Sequence, residues 1–194
     1  MNLIKVISGG QTGADTGGLM AAKRFGIETG GWMPKGFKTL NGPKPYMAER
    51  YSCKEHSSGN YAVRTDLNVK ESDATARFAG TFSSRGEICT LKAIKKHNKP
   101  YFDVDLSDPP KIGEFLNWLE GNKISTLNVA GNSEHTFLRS TLSTYEFLVE
   151  AFFEAGLTMC VTDKQMLHSL GIKTKNLIFK ANNDVIEEVL IKKK

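Results

Sequence analysis

The sequence predicts an α/β fold, Rossmann-like and doubly wound, with a mostly parallel sheet and a C-terminal αβ extension. Short apolar segments alternate with longer amphipathic ones, which is the pattern of strands followed by helices. Three of those strands end in a glycine-containing loop that opens the next helix. With 194 residues the chain is long enough for one well-buried domain. We expect a ligand-binding domain over residues 1–156 and an extension over residues 157–194 packed on it.

The first part of the chain predicts two short strands, one helix and one long loop. A strand is expected over residues 3–7 and a helix over 14–25, where Gly26 supplies a C-cap. A second short strand is expected over residues 31–33. Residues 34–60 are polar and rich in glycine and proline, and a loop of that length in a compact domain is usually functional or mobile.

The following segment continues the alternation with clearer boundaries. The expected order is a helix over 61–70, a strand over 73–79, a helix over 87–97, a strand over 100–106, a helix over 109–121 and a strand over 124–130. A last, strongly amphipathic helix ends at Gly156. Its apolar stripe consists of Leu138, Leu142, Tyr145, Val149 and Phe152.

Residues 157–194 carry too many apolar side chains for a disordered tail. They predict a short strand, a short helix, a strand around residues 176–179 and a terminal amphipathic piece. The lysines at 192–194 are expected to fray in solvent. We expect the rest of this segment to be an ordered appendage at an oligomer interface or over the edge of the ligand site.

Composition and cysteine use are those of a globular protein of a reducing compartment, so we expect a cytoplasmic location. Apolar residues make up 40% of the chain and charged residues 24%. No apolar run approaches the roughly 18 residues of a membrane span, and the N-terminus lacks the layout of a signal peptide. Cys53, Cys89 and Cys160 are far apart, and the histidines show no ligand spacing. Neither disulfides nor a metal site is therefore expected.

The net charge of +5 is weak evidence for a polyanionic partner. The three terminal lysines supply three of these charges, and +5 minus 3 leaves +2 for the rest of the chain. Aromatic and basic residues do not interleave in the manner of a surface that binds single strands. We therefore expect neither a nucleic-acid partner nor a membrane.

The stretch "SGGQTGAD", residues 8–15, forms the first corner between a strand and a helix. Glycines in such a corner can aim backbone N–H groups and the helix N-terminus at an anion. The corner matches neither a dinucleotide fingerprint nor a P-loop, because Ser8 and Leu19 stand where those motifs require glycine and lysine. We interpret it as a phosphate cradle formed by Gly9, Gly10, Gln11, Thr12 and Gly13. The alternative is a purely structural tight turn, with the helix packed closely on the sheet. Gly17 and Gly18 within the helix are also compatible with such close packing.

Two further corners follow strands, the second corner at residues 80–87 and the third corner at residues 131–136. The carboxyl ends of parallel strands meet at one edge of a sheet, and ligands bind in the crevice there. Three candidates for ligand binding also have a structural interpretation. Asp15 could be an acidic residue in the first turn of a helix, Arg64 could lie at an interface, and Arg85 could be a solvent-exposed cation. The further candidates for ligand binding are Asp15, Lys35, Arg64, Asp73, Ser84, Arg85, Gly86, Gly131 and Asn132.

The strings "SGGQTGAD", "GGWMPKG", "YAVRTDLNVKESDAT" and "LNVAG" occur in this order over roughly residues 3–155. In this the chain resembles the putative molybdenum carrier family, which is similar to molybdenum cofactor carrier proteins and to a wider set of Rossmann-like domains that bind nucleotide derivatives. The resemblance implies a Rossmann-like sandwich that is usually oligomeric, so we expect a homo-oligomer. The chain departs from the family pattern at Thr16, at residues 84–87 and at residues 132–133. These positions flank the expected ligand edge and bear on which ligand is bound.

These observations predict non-catalytic binding of a phosphate-bearing, nucleotide-like small molecule, as a carrier or by sequestration. The resemblance implies molybdenum cofactor or a nucleotide-derived signal as the ligand. The alternative is a nucleotide hydrolase or N-glycosidase-like enzyme, in which Glu87 or Glu134 would be the catalytic carboxylate. A constellation of Glu134 and His135 with Ser8 or Thr12 can be drawn, but nothing in the spacing requires it.

Overall fold

The computed structural model of the chain describes residues 2–159, 177–182 and 185–191. The strands are β1 (Lys5–Ile7), β2 (Glu28–Gly30), β3 (Trp32–Met33), β4 (Lys38–Thr39), β5 (Gly42–Pro43), β6 (Lys54–Glu55), β7 (Ala74–Ala79), β8 (Tyr101–Asp105), β9 (Thr126–Gly131), β10 (Leu177–Asn182) and β11 (Val185–Ile191). The helices are α1 (Ala14–Arg24), α2 (Tyr46–Tyr51), α3 (Tyr61–Glu71), α4 (Arg85–His97), α5 (Ile112–Gly121) and α6 (Ser140–Glu154), with a 3₁₀ turn at Lys35–Phe37.

Five parallel strands form the central sheet in the order β2-β1-β9-β7-β8. All six residues of β7 are buried, as expected for a strand covered by helices on both faces. Right-handed crossovers place α1, α5 and α6 on one face of the sheet and α3 and α4 on the other. The Rossmann-like, doubly wound α/β fold predicted from the sequence is thus confirmed, and the first, second and third corners lie at one sheet edge.

The second strand of this sheet lies at Glu28–Gly30 and not at the predicted residues 31–33. Gly31 has φ +120°, and a Cβ at this position would overlap the backbone of Ser8. The chain therefore leaves the sheet at this glycine. Trp32 and Met33 form β3, which pairs in parallel with β6 in a separate two-stranded sheet.

The segment predicted as one long loop, residues 34–60, contains short elements that are anchored to the core. Strands β4 and β5 form a small antiparallel hairpin, and α2 follows it. Met47, Tyr51 and Cys53 are buried in the main hydrophobic core. Because these side chains hold the segment on the domain, it forms an ordered wall beside the sheet edge.

The main core lies between the sheet and helices α1, α5 and α6, which cover one of its faces. Phe115 packs edge-on against Phe78 and Phe147, and Phe152 packs in the same way against Phe25. On α1, a Cβ at Gly17 would overlap the backbone of Thr141, and one at Gly18 would lie 2.5 Å from a methyl of Val129. These two glycines therefore allow α1 to approach α6 and β9 closely.

Two strands of the C-terminal extension, β10 and β11, form an antiparallel hairpin that pairs Phe179 with Val189. Strand β10 overlaps the strand predicted around residues 176–179. The predictions for residues 160–176 and for the lysines at 192–194 lie outside the described residues. Packing of the extension on the domain stays a prediction. Among the helices that the structure describes, none combines the length and the apolar character needed to cross a bilayer.

Candidate functional site

The backbone N–H groups of the first corner already donate to protein acceptors. The bonds are Gln11 N–H to Asp15 Oδ2 (3.1 Å), Thr12 N–H to Gln11 Oε1 (2.9 Å), Gly13 N–H to Thr141 Oγ1 (3.1 Å) and Ala14 N–H to the carbonyl of Asn132 (3.0 Å). Thr16 Oγ1 also donates to the carbonyl of Gln11. An anion cradled by these groups would have to displace internal hydrogen bonds.

The glycines of the first corner also permit close approach by other parts of the protein. A Cβ at Gly9 would overlap the guanidinium of Arg64. Gly10 has φ +66°, and a Cβ there would lie 2.5 Å from the sulfur of Met33. Both the strained backbone and the crowding favour glycine, whatever the corner binds.

A cavity of about 660 Å³ opens at the same sheet edge, between α3, the start of α4 and the carboxyl end of β9. Parallel α/β sheets bind ligands in crevices at this edge. Eight of the residues proposed from the sequence line it: Gln11, Asp15, Arg64, Ser84, Arg85, Gly86, Gly131 and Asn132. The structure therefore brings residues of all three corners and of helix α3 together around one cavity.

Six of the proposed residues lie outside the cavity lining. Gly9, Gly10, Thr12 and Gly13 lie behind it in the first corner. Lys35 is exposed on the 3₁₀ turn. Asp73 precedes β7 at the opposite edge of the sheet, where its Oδ2 accepts the N–H groups of Ser125 and Thr126 at 2.9 and 2.7 Å. Ligand binding by these residues stays a prediction.

Asp15 and Arg64 form an ion pair on the cavity wall. Arg64 Nη1 lies 3.2 Å from Asp15 Oδ2, and the two side chains are 13% and 5% exposed. Burial raises the pKa of the Asp15 carboxyl above its ordinary value, although the charge of Arg64 and the N–H of Gln11 oppose this shift. Arg64 Nε is buried without a hydrogen-bond partner. A bound molecule could supply the missing acceptor.

The second corner presents the N-terminus of α4 to the cavity. Ser84 is the N-cap, and its hydroxyl accepts the N–H of Glu87 at 3.3 Å. The N–H groups of Arg85 and Gly86 lie in the first turn, where a helix has no internal acceptor for them. The arrangement is suited to an anionic group, which the helix dipole and the Arg85 guanidinium would both attract.

Glu87, one residue further along, is a buried carboxyl on the same wall. It is 1% exposed, and its Oε2 has no hydrogen-bond partner. The same Oε2 lies 3.7 Å from Arg77 Nη1 in an ion pair, but Arg77 also binds Asp103 through Nε and Nη2, at 2.8 and 2.5 Å. Burial raises the pKa of Glu87 to about 7, with Arg77 opposing and Asp15 and Asp103 adding to the shift.

Asn132 in the third corner connects all three corners. Its Oδ1 accepts the N–H groups of Gly80 and Thr81, both at 3.1 Å, and its Nδ2 donates to the carbonyl of Thr81. Its backbone carbonyl accepts the N–H of Ala14 at the start of α1. Since these bonds occupy its amide, Asn132 holds the cavity walls in position.

Several lining residues were not proposed from the sequence as binding residues, among them Tyr61, Glu87, Thr90 and Asn128. Two signals could have identified some of them. Asn128 is a buried polar residue in an otherwise apolar strand, and its Nδ2 donates to Thr75 Oγ1. Glu87 follows the N-cap serine by three residues, the spacing of a capping box. From the sequence, Glu87 was a candidate only under the hydrolase alternative.

The structure does not assemble the constellation drawn around His135. Ser8 Oγ is buried and donates to the carbonyl of Val129. Glu134 accepts the N–H groups of Arg139 and Thr141 at 2.8 and 2.7 Å, so it caps the start of α6. His135 Nε2 lies 2.7 Å from Asn41 Oδ1 in the loop between β4 and β5.

Comparison with known proteins gives the family. The chain matches the circularly permutated YpsA SLOG family over residues 6–152. It is also similar to the crystal structure of a putative molybdenum carrier protein from Syntrophus aciditrophicus SB, with a TM-score of 0.70 and 32% identity over 78% of this chain and 95% of that one. No curated protein matches the chain significantly. The chain belongs to the circularly permutated YpsA SLOG family, and it resembles a molybdenum carrier-like protein as its sequence motifs predicted.

Proposed function

We propose that the protein binds a phosphate-bearing, nucleotide-like small molecule in the cavity between α3 and α4, and that it holds this molecule without converting it. The observation that carries the proposal concerns two buried charged side chains on the cavity wall, Arg64 and Glu87, each of which has a buried polar atom that makes no hydrogen bond within the described residues. Buried polar atoms rarely lack a hydrogen-bond partner in native proteins, and a molecule bound in the cavity would supply one to each of these two atoms.

The chemical class follows from the wall itself. Arg85 and the first turn of α4 suit a phosphate group. Tyr61 and Leu40 supply aromatic and aliphatic surface, while Asn128 and Thr90 supply hydrogen-bonding groups for a heterocycle. A volume of about 660 Å³ lies within the range of small-molecule sites. The molybdenum carrier-like neighbour makes molybdenum cofactor one candidate, and a nucleotide derivative is the other.

The test begins with the protein as it is purified. It is denatured, and the released small molecule is identified by mass spectrometry and by its absorbance. We expect a phosphate-bearing heterocycle in an amount approaching one per chain in the wild type, and less in Arg85→Ala. If nothing is released and no nucleoside monophosphate binds to the protein in calorimetry, the proposal is wrong.

A second candidate function is hydrolysis of a nucleotide or of its N-glycosidic bond. The observation that favours it is Glu87, because a buried carboxyl with a pKa of about 7 is suited to general acid or base catalysis. Under this alternative, product accumulates over many turnovers and ceases to accumulate in Glu87→Gln. Under the binding proposal, a nucleotide incubated with excess protein is recovered unchanged.

The expected cytoplasmic location and homo-oligomeric state remain part of the proposal. Gel filtration coupled to light scattering measures the second directly. A homo-oligomer is expected to give a molar mass that is a multiple of 21.4 kDa.

A further inference from the structure

Glu87 is at odds with an anion at the start of α4. Its side chain is 2% exposed and lies in the same helical turn as Arg85 and Gly86. Its Oε2 is buried, has no hydrogen-bond partner, and belongs to a residue that lines the cavity. A negatively charged ligand at the first turn of α4 would lie near the Glu87 carboxylate. Oε2 of that carboxylate makes no hydrogen bond, and its ion pair with Arg77 Nη1 spans 3.7 Å.

The charges around Glu87 do not neutralise this carboxylate fully. On β7, Arg77 is shared with Asp103 of β8, whose two oxygens bind its Nε and Nη2. The rings of Phe82 and Tyr101 lie 5.0 and 5.4 Å from the Arg77 guanidinium and limit its movement. On α1 and α3, Asp15 and Arg64 form their own pair. Counted as ionised, these five side chains carry three negative charges and two positive charges.

We infer that an anionic ligand enters this cavity together with one proton, which Glu87 takes up from solvent. The ligand phosphate stays ionised, the Glu87 carboxylate becomes a carboxylic acid, and the new O–H can donate to a ligand oxygen. This inference rests on the proposed function, since it concerns the same cavity. It assigns Glu87 as a ligand-contacting residue and Arg77 as a positioning residue that holds the carboxyl in place.

The pKa of about 7 for Glu87 in the free protein sets the range in which the effect is measurable. Below pH 7 the carboxyl is already mostly neutral, so little proton uptake is needed. Above pH 7 it is ionised, and each unit of pH is expected to weaken binding by up to roughly tenfold. A phosphate monoester has a second pKa near 6, so a nucleotide is already dianionic in this range.

The experiment is calorimetric titration of the full chain with AMP at pH 7.5 and 8.5, in two buffers of different ionisation enthalpy. The dependence of the measured heat on the buffer gives the number of protons taken up. For the wild type we expect close to one proton at pH 8.5 and an affinity on the order of tenfold weaker than at pH 7.5. This wild-type measurement does not depend on the folding of any variant.

Two matched variants identify the carboxyl. Glu87→Gln imitates the protonated form, so it is expected to take up no proton and to bind AMP more tightly than the wild type at pH 8.5. Asp15→Asn removes the other cavity carboxyl and is expected to keep proton uptake. Uptake that is lost in Asp15→Asn but kept in Glu87→Gln would overturn the inference.

The remaining outcomes separate this inference from the proposed function. AMP binding with equal affinity at both pH values and no proton uptake would overturn the inference and leave the proposed function standing. If AMP does not bind, GMP, CMP and UMP are titrated in the same way. Failure of all four to bind at either pH, to protein from which denaturation releases no small molecule, would overturn both.

Discussion

The guanidinium of Arg64 on α3 lies 3.2 Å from the carboxylate of Asp15 on α1. It occupies the space that a Cβ at position 9 would need, so this position requires glycine. The pair is 49 residues apart in sequence and joins the two faces of the sheet at its ligand edge. It explains the glycine at position 9 by the side chain that occupies the space above it.

Arg64→Ala is expected to destabilise the protein by about 2 kcal/mol, because it leaves the Asp15 carboxyl buried without its partner. Urea unfolding followed by circular dichroism measures this change. The double variant Asp15→Asn/Arg64→Ala is the control and should recover most of the loss, since a neutral amide replaces the charge. If the separate losses of Arg64→Ala and Asp15→Asn add up to the loss of the double variant, the two side chains are not coupled.

The two glycines of α1 are expected to be required for packing despite their poor helix propensity. Gly18→Ala places a Cβ 2.5 Å from Val129, so we expect a loss of about 1–3 kcal/mol in unfolding free energy. Gly113→Ala in α5 is the matched control, because a Cβ there meets nothing within 4 Å. This variant should gain up to about 1 kcal/mol from helix propensity. A gain in both variants would contradict close packing of α1.

Protein stability is expected to fall as pH rises through 7, in part because of Glu87. Its folded pKa of about 7 lies above its ordinary value of 4.5, so the folded state binds the proton more tightly than the unfolded state. This contribution is complete below pH 4.5 and is lost by pH 8, by an amount on the order of 3 kcal/mol. Glu87→Gln should show a smaller decline between pH 5 and 8 than the wild type. Parallel stability profiles for the two proteins would show that the Glu87 pKa is ordinary.

Arg85 and Lys35 were both expected to supply charge to the ligand, and the structure distinguishes them. Both residues are exposed, but Arg85 lines the cavity at the start of α4, whereas Lys35 on the 3₁₀ turn does not line it. Arg85→Ala should weaken AMP binding about tenfold or more and reduce its salt dependence. Lys35→Ala should have a smaller effect in the same calorimetric titration. An equal loss of AMP affinity in both variants would show that Lys35 contributes to the site as much as Arg85 does.

Gln11 is expected to hold the loop between β4 and β5 against the first corner. Its Oε1 accepts the N–H of Thr12 at 2.9 Å and that of Leu40 at 3.0 Å, and Leu40 lines the cavity. Gln11→Ala should therefore accelerate amide hydrogen exchange at Leu40. Gln11→Glu keeps an oxygen acceptor and should retain most of the protection. If Leu40 exchanges at the wild-type rate in Gln11→Ala, other contacts hold the loop.

The sequence by itself determined the layered α/β architecture and the sheet edge where the cavity lies. Strand and helix periodicities are local properties, and a chain that alternates them must form parallel strands whose carboxyl ends meet. Seven of the eight proposed residues that line the cavity lie in the three corners, and position in a corner follows from chain direction alone; the eighth, Arg64, lies on α3. The apolar stripe of α6 was predictable for the same reason, except for Leu138, which precedes the helix and is 79% exposed.

Only the tertiary structure decided which groups at that edge are free to bind. The first corner has the glycines of an anion site, yet the N–H groups of four of its residues, Gln11, Thr12, Gly13 and Ala14, already donate to acceptors of the protein itself. The pKa of Glu87 is raised because burial outweighs the charge of Arg77, which Asp103 on a neighbouring strand also engages. Hydrogen-bond partners and desolvation depend on what packs against a residue from distant parts of the chain. Local sequence patterns do not show which distant residues pack together. The sheet edge that carries the cavity could therefore be predicted, but the charges and hydrogen bonds of the cavity wall could not.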